Sequence, residues 1–337
     1  MKATRAFIKE CTAPGILDLD PTKYQRHAVH REERAWSESN CYADLWLELL
    51  NGLQLEPVAA LPFTLALDFE GDQWGFFKYP LEDLQSVYGI EVGELSVWRP
   101  LIDHVAEQVT FGRPVLFEVD AFFLPDTAGT TYRRGHEKTT VAAVGIDTEA
   151  RQLGYFHGAS FYVLSGDDFA GAFSLNLAPG AVYLPPYTEI AKLDRLERMD
   201  DAALAKRTAA LTRTYLSRRP RDNPFTRYAA RFPADLEWLK GESLGVFHGY
   251  AFNTLRQLGA NFELAGTYLR WLDQRGYEGL QEPAAQLESI ANTSKALQFK
   301  IARFVNNKKP VDLVPMITTM GTAWETAMKL LDARFSG

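Results

Sequence analysis

At Pro185-Pro186 the chain changes character, and that break constrains the fold more than any other feature. Before it, short apolar runs rich in β-branched and aromatic residues are separated by turn signals. After it, from about Leu193 onward, Leu, Ala, Arg and Glu recur at helical spacing with few β-branched runs. An α+β chain of two domains is expected, with an antiparallel sheet in residues 1–190 and an all-helical domain in 191–337. Charge divides the same way. Residues 1–190 carry 14 Lys+Arg against 27 Asp+Glu, and residues 191–337 carry 22 against 16. Such asymmetry suggests domains with different jobs.

Within the first part, residues 1–9 and 63–67 read as short strands, and 69–78 as a glycine-bearing loop with a short strand. Helices are expected over 81–88 and 98–110. A strand over 114–120 ends in Asp120, and strands over 139–147, 153–157 and 160–164 form an antiparallel meander. Five or six helices follow, broken near 220–224, Pro233, 276–283 and 308–310.

Composition excludes several classes. A chain of 337 residues with 46% apolar content can bury one or two cores. No apolar run approaches the ~20 residues of a membrane span and no signal-peptide core opens the chain, so no membrane and a cytoplasmic setting are expected. Two cysteines, Cys11 and Cys41, make neither a disulfide framework nor a Cys-rich zinc site. The histidines lack ligand spacing, so no metal is expected; His27, His30 and His104 read as surface or loop residues. Basic residues gather at Lys206, Arg207, Arg213, Arg218, Arg219, Arg221, Arg227 and Arg231, but the net charge is −7 and no nucleic-acid motif accompanies them. They read as a solvated helix face or as a docking surface for an acidic protein.

Chemistry concentrates at Cys41. Tyr42, Leu45, Trp46, Leu49 and Leu50 mark one helical face, Asn40 is a natural N-cap and Asn51-Gly52 a stop. The thiol therefore lies in a first helical turn, where free N–H groups and the macrodipole favour thiolate. His136 introduces the 139–147 strand. A Cys on an early helix followed by a His entering an antiparallel sheet is the layout of papain-like enzymes. These need a nucleophilic sulfur, an imidazole that takes its proton, and a polar group that orients the ring. Asp147 is on the order of 30 Å of strand from His136, too far to serve. The returning strand brings His157 back, in the position where papain-like sheets usually hold Asp or Asn. Asp120 is a second source of a carboxylate, or a partner for a substrate amine. The Cys41 N–H, the Asn40 amide and Gln73 are candidate oxyanion donors. Each residue has a plainer reading: Cys41 as a small buried hydrophobe, Asn40 as a cap, Gln73 as a turn closer.

Asn40-Cys41-Tyr42, Phe69-Glu70-Gly71-Asp72-Gln73, the run from Glu118-Val119-Asp120 to Pro125-Asp126-Thr127, His136-Glu137-Lys138-Thr139-Thr140 and Tyr155-Phe156-His157 together resemble a bacterial domain-of-unknown-function family. More distantly, the order Cys, Val-Asp-aromatic-aromatic-Leu-Pro, His, Gly-Ile-Asp is similar to butirosin biosynthesis protein H. That resemblance implies a papain-like catalytic domain, a helical second domain and Cys41 with His136 as the reacting pair. It also implies transfer of an (amino)acyl group from an acyl carrier protein thioester to a small-molecule amine. Phosphopantetheine would enter only on the partner. A cysteine hydrolase with water as acceptor, and a non-catalytic binding module on the same scaffold, are the alternatives.

Overall fold

In the computed structural model, which describes residues 15–177 and 182–335, two compact units emerge. The N-terminal unit comprises Met1–Ala28, Asn40–Pro57 and Leu81–Arg198; the C-terminal unit comprises Val29–Ser39, Val58–Pro80 and Met199–Gly337. The expected strand at 1–9, and Cys11, lie outside the described residues.

The N-terminal unit is built on one antiparallel sheet. Its strands are β1 (Glu91–Glu94), β2 (Val115–Asp120), β3 (Lys138–Asp147), β4 (Gln152–His157), β5 (Ser160–Ser165) and β6 (Thr188–Lys192), in the order β1-β6-β2-β3-β4-β5. Register makes rows across it: Glu189 pairs with Leu116, Leu116 with Ala142 and Ala142 with Phe156. Helix α1 (Cys41–Gly52) lies along that row. At its first turn the Tyr42 hydroxyl donates to Glu189 Oε2 at 2.8 Å. At its end, a Cβ on Gly52 would come within 2.6 Å of Phe156 Cζ. Twelve helical residues rise about 16 Å, close to the ~14 Å spanned by four neighbouring strands. The opposite sheet face, with Val115, Phe117, Val119, Val141, Ala143 and Tyr155, packs on helices α3 (Leu101–Thr110) and α4 (Gly166–Ala172). Helix α2 (Leu81–Tyr88) precedes β1. Both faces are covered, which is why β2 reads as an almost unbroken apolar run.

The polar side of α1 is covered too. Glu48 is fully buried and accepts from the Tyr24 hydroxyl (2.5 Å) and the His27 N–H (2.9 Å).

Six helices make up most of the C-terminal unit: α5 (Asp201–Arg218), α6 (Pro224–Gly241), α7 (Leu244–Ala251), α8 (Gln257–Asp273), α9 (Gln281–Asn307) and α10 (Val314–Phe335). A π-helical turn, Phe252–Arg256, joins α7 to α8. Pro233 lies exposed inside α6 rather than breaking it. Residues 63–67, expected as a strand, instead lie largely within the 3₁₀ turn Pro62–Ala66. Pro62 starts that turn, and the Thr64 hydroxyl and N–H both donate to the Leu61 carbonyl (2.6 and 3.0 Å). Trp36 donates from Nε1 to the Ala291 carbonyl at 3.0 Å. Its ring occupies the space a Cβ on Gly259 would need, 2.3 Å from Nε1. Trp74 packs among Phe69, Phe225, Tyr228 and Phe262.

His30 and His104 are buried, not surface residues. Burial, reinforced by the Arg99 guanidinium, holds the His104 pKa below its ordinary value. Among the described residues no helix is long and apolar enough to cross a membrane, and no three His, Cys, Asp or Glu side chains form a group that could hold a metal ion.

Buried tyrosines link this packing to pH. Burial raises the pKa of Tyr24, Tyr42 and Tyr155 in the N-terminal unit and of Tyr228, Tyr250 and Tyr268 in the C-terminal unit above the ordinary 10.0. The folded chain keeps protons that the unfolded chain releases above about pH 10. Stability is therefore fully present below that pH and falls as pH rises, by about 1.4 kcal/mol per pH unit for each such tyrosine. Urea titrations should give a constant midpoint to about pH 9.5 and a steep decline beyond it. A midpoint unchanged at about pH 11 would show that the tyrosinates are tolerated in the fold.

Candidate functional site

Strand register builds an imidazole–carboxylate pair at His136. Asp120 ends β2 opposite Lys138, the first residue of β3, so the chain just before β3 returns beside Asp120. His136 Nδ1 lies 2.6 Å from Asp120 Oδ2, and Asp120 Oδ1 accepts from the Phe122 N–H at 3.0 Å. The His136 ring stacks on Phe122, with centroids 4.6 Å apart and planes 15° from parallel. An ionised Asp120 holds the proton on Nδ1, which leaves Nε2 as the basic atom. That side chain is 72% exposed, and among the described residues Nε2 has no hydrogen-bond partner.

His136 and Asp120 line a cavity of about 800 Å³ whose other walls include Leu101, Phe123, Lys138 and Tyr183. Lys138 is paired with Glu118 at 2.6 Å. Arg133 pairs with Asp168 and lies over the Phe122 and Phe123 rings. Phe123 sits against α4 only because residue 171 is glycine: a Cβ there would fall 2.1 Å from Phe123 Cδ1.

The pair at His157 is largely shielded from solvent. His157 Nδ1 meets Asp126 Oδ2 at 2.5 Å, His157 Nε2 meets Thr139 Oγ1 at 2.8 Å, and the Tyr155 hydroxyl donates to Asp126 Oδ1 at 2.5 Å. The Asp126 side chain is 4% exposed and that of His157 12%. Burial and the neighbouring Asp126 charge push the Tyr155 hydroxyl well above its usual pKa. The group that orients His136 is thus Asp120, and His157 has a carboxylate of its own. Strand alternation explains this: His157 shares the α3/α4 face with Tyr155 and Thr139, whereas Asp120 alternates onto the α1 face with Leu116 and Glu118.

Cys41 is the first residue of α1 and half-buried; its thiol has no hydrogen bond among the described residues. Asn40 is its N-cap, with Oδ1 accepting from the Ala43 N–H at 2.9 Å. The hydroxyls of Tyr42, the residue after Cys41, and of Tyr187 both donate to the buried Glu189, each at 2.8 Å. Burial and that carboxylate push Tyr187 up to about 12. Glu189 stands level with Leu116, four residues of strand or about 13 Å before Asp120. Cys41 neither lines the cavity nor hydrogen-bonds to His136. Gln73 lies in the C-terminal unit, exposed in a turn where its carbonyl accepts from the Glu70 N–H at 2.8 Å.

Sequence alone assigns no site role to Asp126, Tyr155, Thr139 or Glu189. Asp126 looks like part of a turn in Pro125-Asp126-Thr127. The available signal was His157 itself, since an imidazole ending an aromatic strand needs a partner if buried.

The DUF1839 N-terminal domain matches residues 25–193, and the DUF1839 C-terminal domain matches residues 201–333. The chain belongs to the DUF1839 family. The His136–Asp120 and His157–Asp126 pairs and Cys41 of this DUF1839 chain fall within its N-terminal match, and the eight clustered basic residues within its C-terminal match. No curated protein matches the chain.

Proposed function

We propose that this DUF1839 chain is a cysteine-dependent acyltransferase on a papain-like scaffold, which moves an acyl group from a carrier-protein thioester to an amine. The observation that carries this reading is the His136–Asp120 pair at the cavity, an imidazole fixed through Nδ1 with Nε2 unbonded among the described residues. The Cys41 sulfur attacks the thioester carbonyl, its proton passes to His136 Nε2, and the carrier thiol leaves with that proton. The amine then attacks the Cys41 acyl-enzyme, yields its proton to His136, and the carbon–sulfur bond breaks to restore the thiol. The Cys41 N–H, at the start of α1, is a donor for the oxyanion. The order of motifs in the sequence resembles that of butirosin biosynthesis protein H, which implies the same pairing. A hydrolase would differ only in admitting water as acceptor.

The position of Cys41 outside the cavity lining favours a second reading, a binding module without catalysis. Intact mass spectrometry after incubation with a panel of acyl-loaded carrier proteins separates the two. The acyltransferase gains one acyl mass on wild type and none on Cys41→Ala. No adduct with any member of the panel would replace this reading with the binding module.

Carrier docking draws on the basic helices, where several side chains have internal partners. Arg219 grips Asp332 through two bonds of 2.8 and 2.7 Å, Arg227 pairs with Asp68 and Arg231 with Asp235 at 2.5 Å. Arg218 and Arg221 are exposed and better suited to an acidic partner. Arg218→Glu with Arg221→Glu is expected to weaken carrier binding by about tenfold or more at low salt, with the difference shrinking at high salt. Equal affinity in a surface-binding assay at low salt would remove this face from the proposal.

A further inference from the structure

A second cavity of about 470 Å³ adjoins the one at His136. Leu101, Ser174, Leu177, Tyr183 and Pro185 line both. Beyond that shared wall the second cavity is walled mainly by apolar side chains, among them Trp98 and Phe173. Among the described residues its one charged wall residue, Arg99, is already paired with Glu107. Trp98 is 79% exposed yet held in place. Its backbone N–H donates to His104 Nε2 at 3.3 Å, and its ring meets the His104 ring edge-on at 5.9 Å. A fixed, exposed indole at the mouth of an apolar cavity is the arrangement expected of a ligand site.

We propose that this second cavity is the subsite for an apolar acyl chain, whose carbonyl end lies at His136 and whose tail passes the shared wall to end against Trp98 and Phe173. The assignment of the chain to an acyl donor rests on the acyl-transfer reading of the first cavity. The apolar character follows from the walls. Among the described wall residues a charged chain would meet one charged group, Arg99, which already has its carboxylate, and a polar chain would give up water for the Ser174 and Tyr183 hydroxyls alone. An alkyl chain needs no polar partner and gains from every methylene it buries.

Calorimetric titration tests this with uncharged probes, N-methylalkanamides graded from the acetamide to the dodecanamide and kept below their aggregation thresholds. The protein is the full-length Cys41→Ala variant, so binding is read without reaction. Kd is expected to fall about 3–4-fold per added methylene, matching about 0.8 kcal/mol each, and then to level off once the subsite is full. Trp98→Ala, at an exposed position that leaves the core intact, should flatten this dependence. A Kd independent of chain length, or a dependence untouched by Trp98→Ala, overturns the proposal. Failure of the acyl-transfer reading would look different, as absence of an acyl adduct on Cys41 with the chain-length dependence retained.

Discussion

His136→Gln is expected to slow acylation of Cys41 by about 10²–10⁴-fold, the usual contribution of a general base, while leaving stability unchanged. The ring is largely exposed; its side-chain contacts are the Asp120 bond and the stack on Phe122. An exposed pair of this kind contributes about 0–1 kcal/mol to folding. Asp120→Asn should reproduce much of the loss, because an amide facing Nδ1 favours the other tautomer and removes the charge that supports the imidazolium. Asp120 also caps the turn that follows β2 through Phe122, and Asn retains that acceptor. Single-turnover mass spectrometry of the acyl adduct reads both effects. A His136→Gln enzyme within about threefold of wild type would take His136 out of the mechanism, since general bases contribute far more than that.

Asp126→Ala is expected to destabilise the N-terminal unit by about 2–6 kcal/mol, the scale of leaving two shielded donors without their acceptor. Two buried donors, Tyr155 O–H and His157 Nδ1–H, lose their acceptor at once, and each orphaned group costs about 1–3 kcal/mol. Tyr155→Phe removes one of those donors beforehand, so the same Asp126 substitution should cost less in that background. A double-mutant cycle then reports a coupling of about 1–3 kcal/mol. Amide hydrogen exchange in β3 and β4 localises the effect. A loss below about 1 kcal/mol would mean that water replaces the carboxylate.

The sequence reading and the structure agree where local interactions decide. Asn40 caps α1 through the Ala43 N–H, and the helix ends at Gly52, because a cap and a stop act within one turn. The β3–β5 meander was legible since its joins are short and its runs alternate with turn residues. Residues 63–67 were ambiguous for the reason short apolar runs usually are: five residues fit a strand or a single turn, and burial alone cannot separate them.

By itself the sequence determined the helix carrying Cys41, the strands flanking His136 and His157, and the helical character of the second half. Each depends on neighbours a few residues apart. Only the tertiary structure decided which carboxylate each imidazole meets. Asp120 and His136 are 16 residues apart, and Asp126 and His157 are 31 apart. Those pairings depend on strand register and on the face to which each side chain alternates, where a slip of one residue exchanges the faces. Burial of Glu48 on the polar side of α1 is likewise tertiary, because the covering groups, Tyr24 and His27, come from 24 and 21 residues away. Hydrophobic periodicity records how a helix segregates its own side chains; it carries no record of what a distant segment lays over the other side.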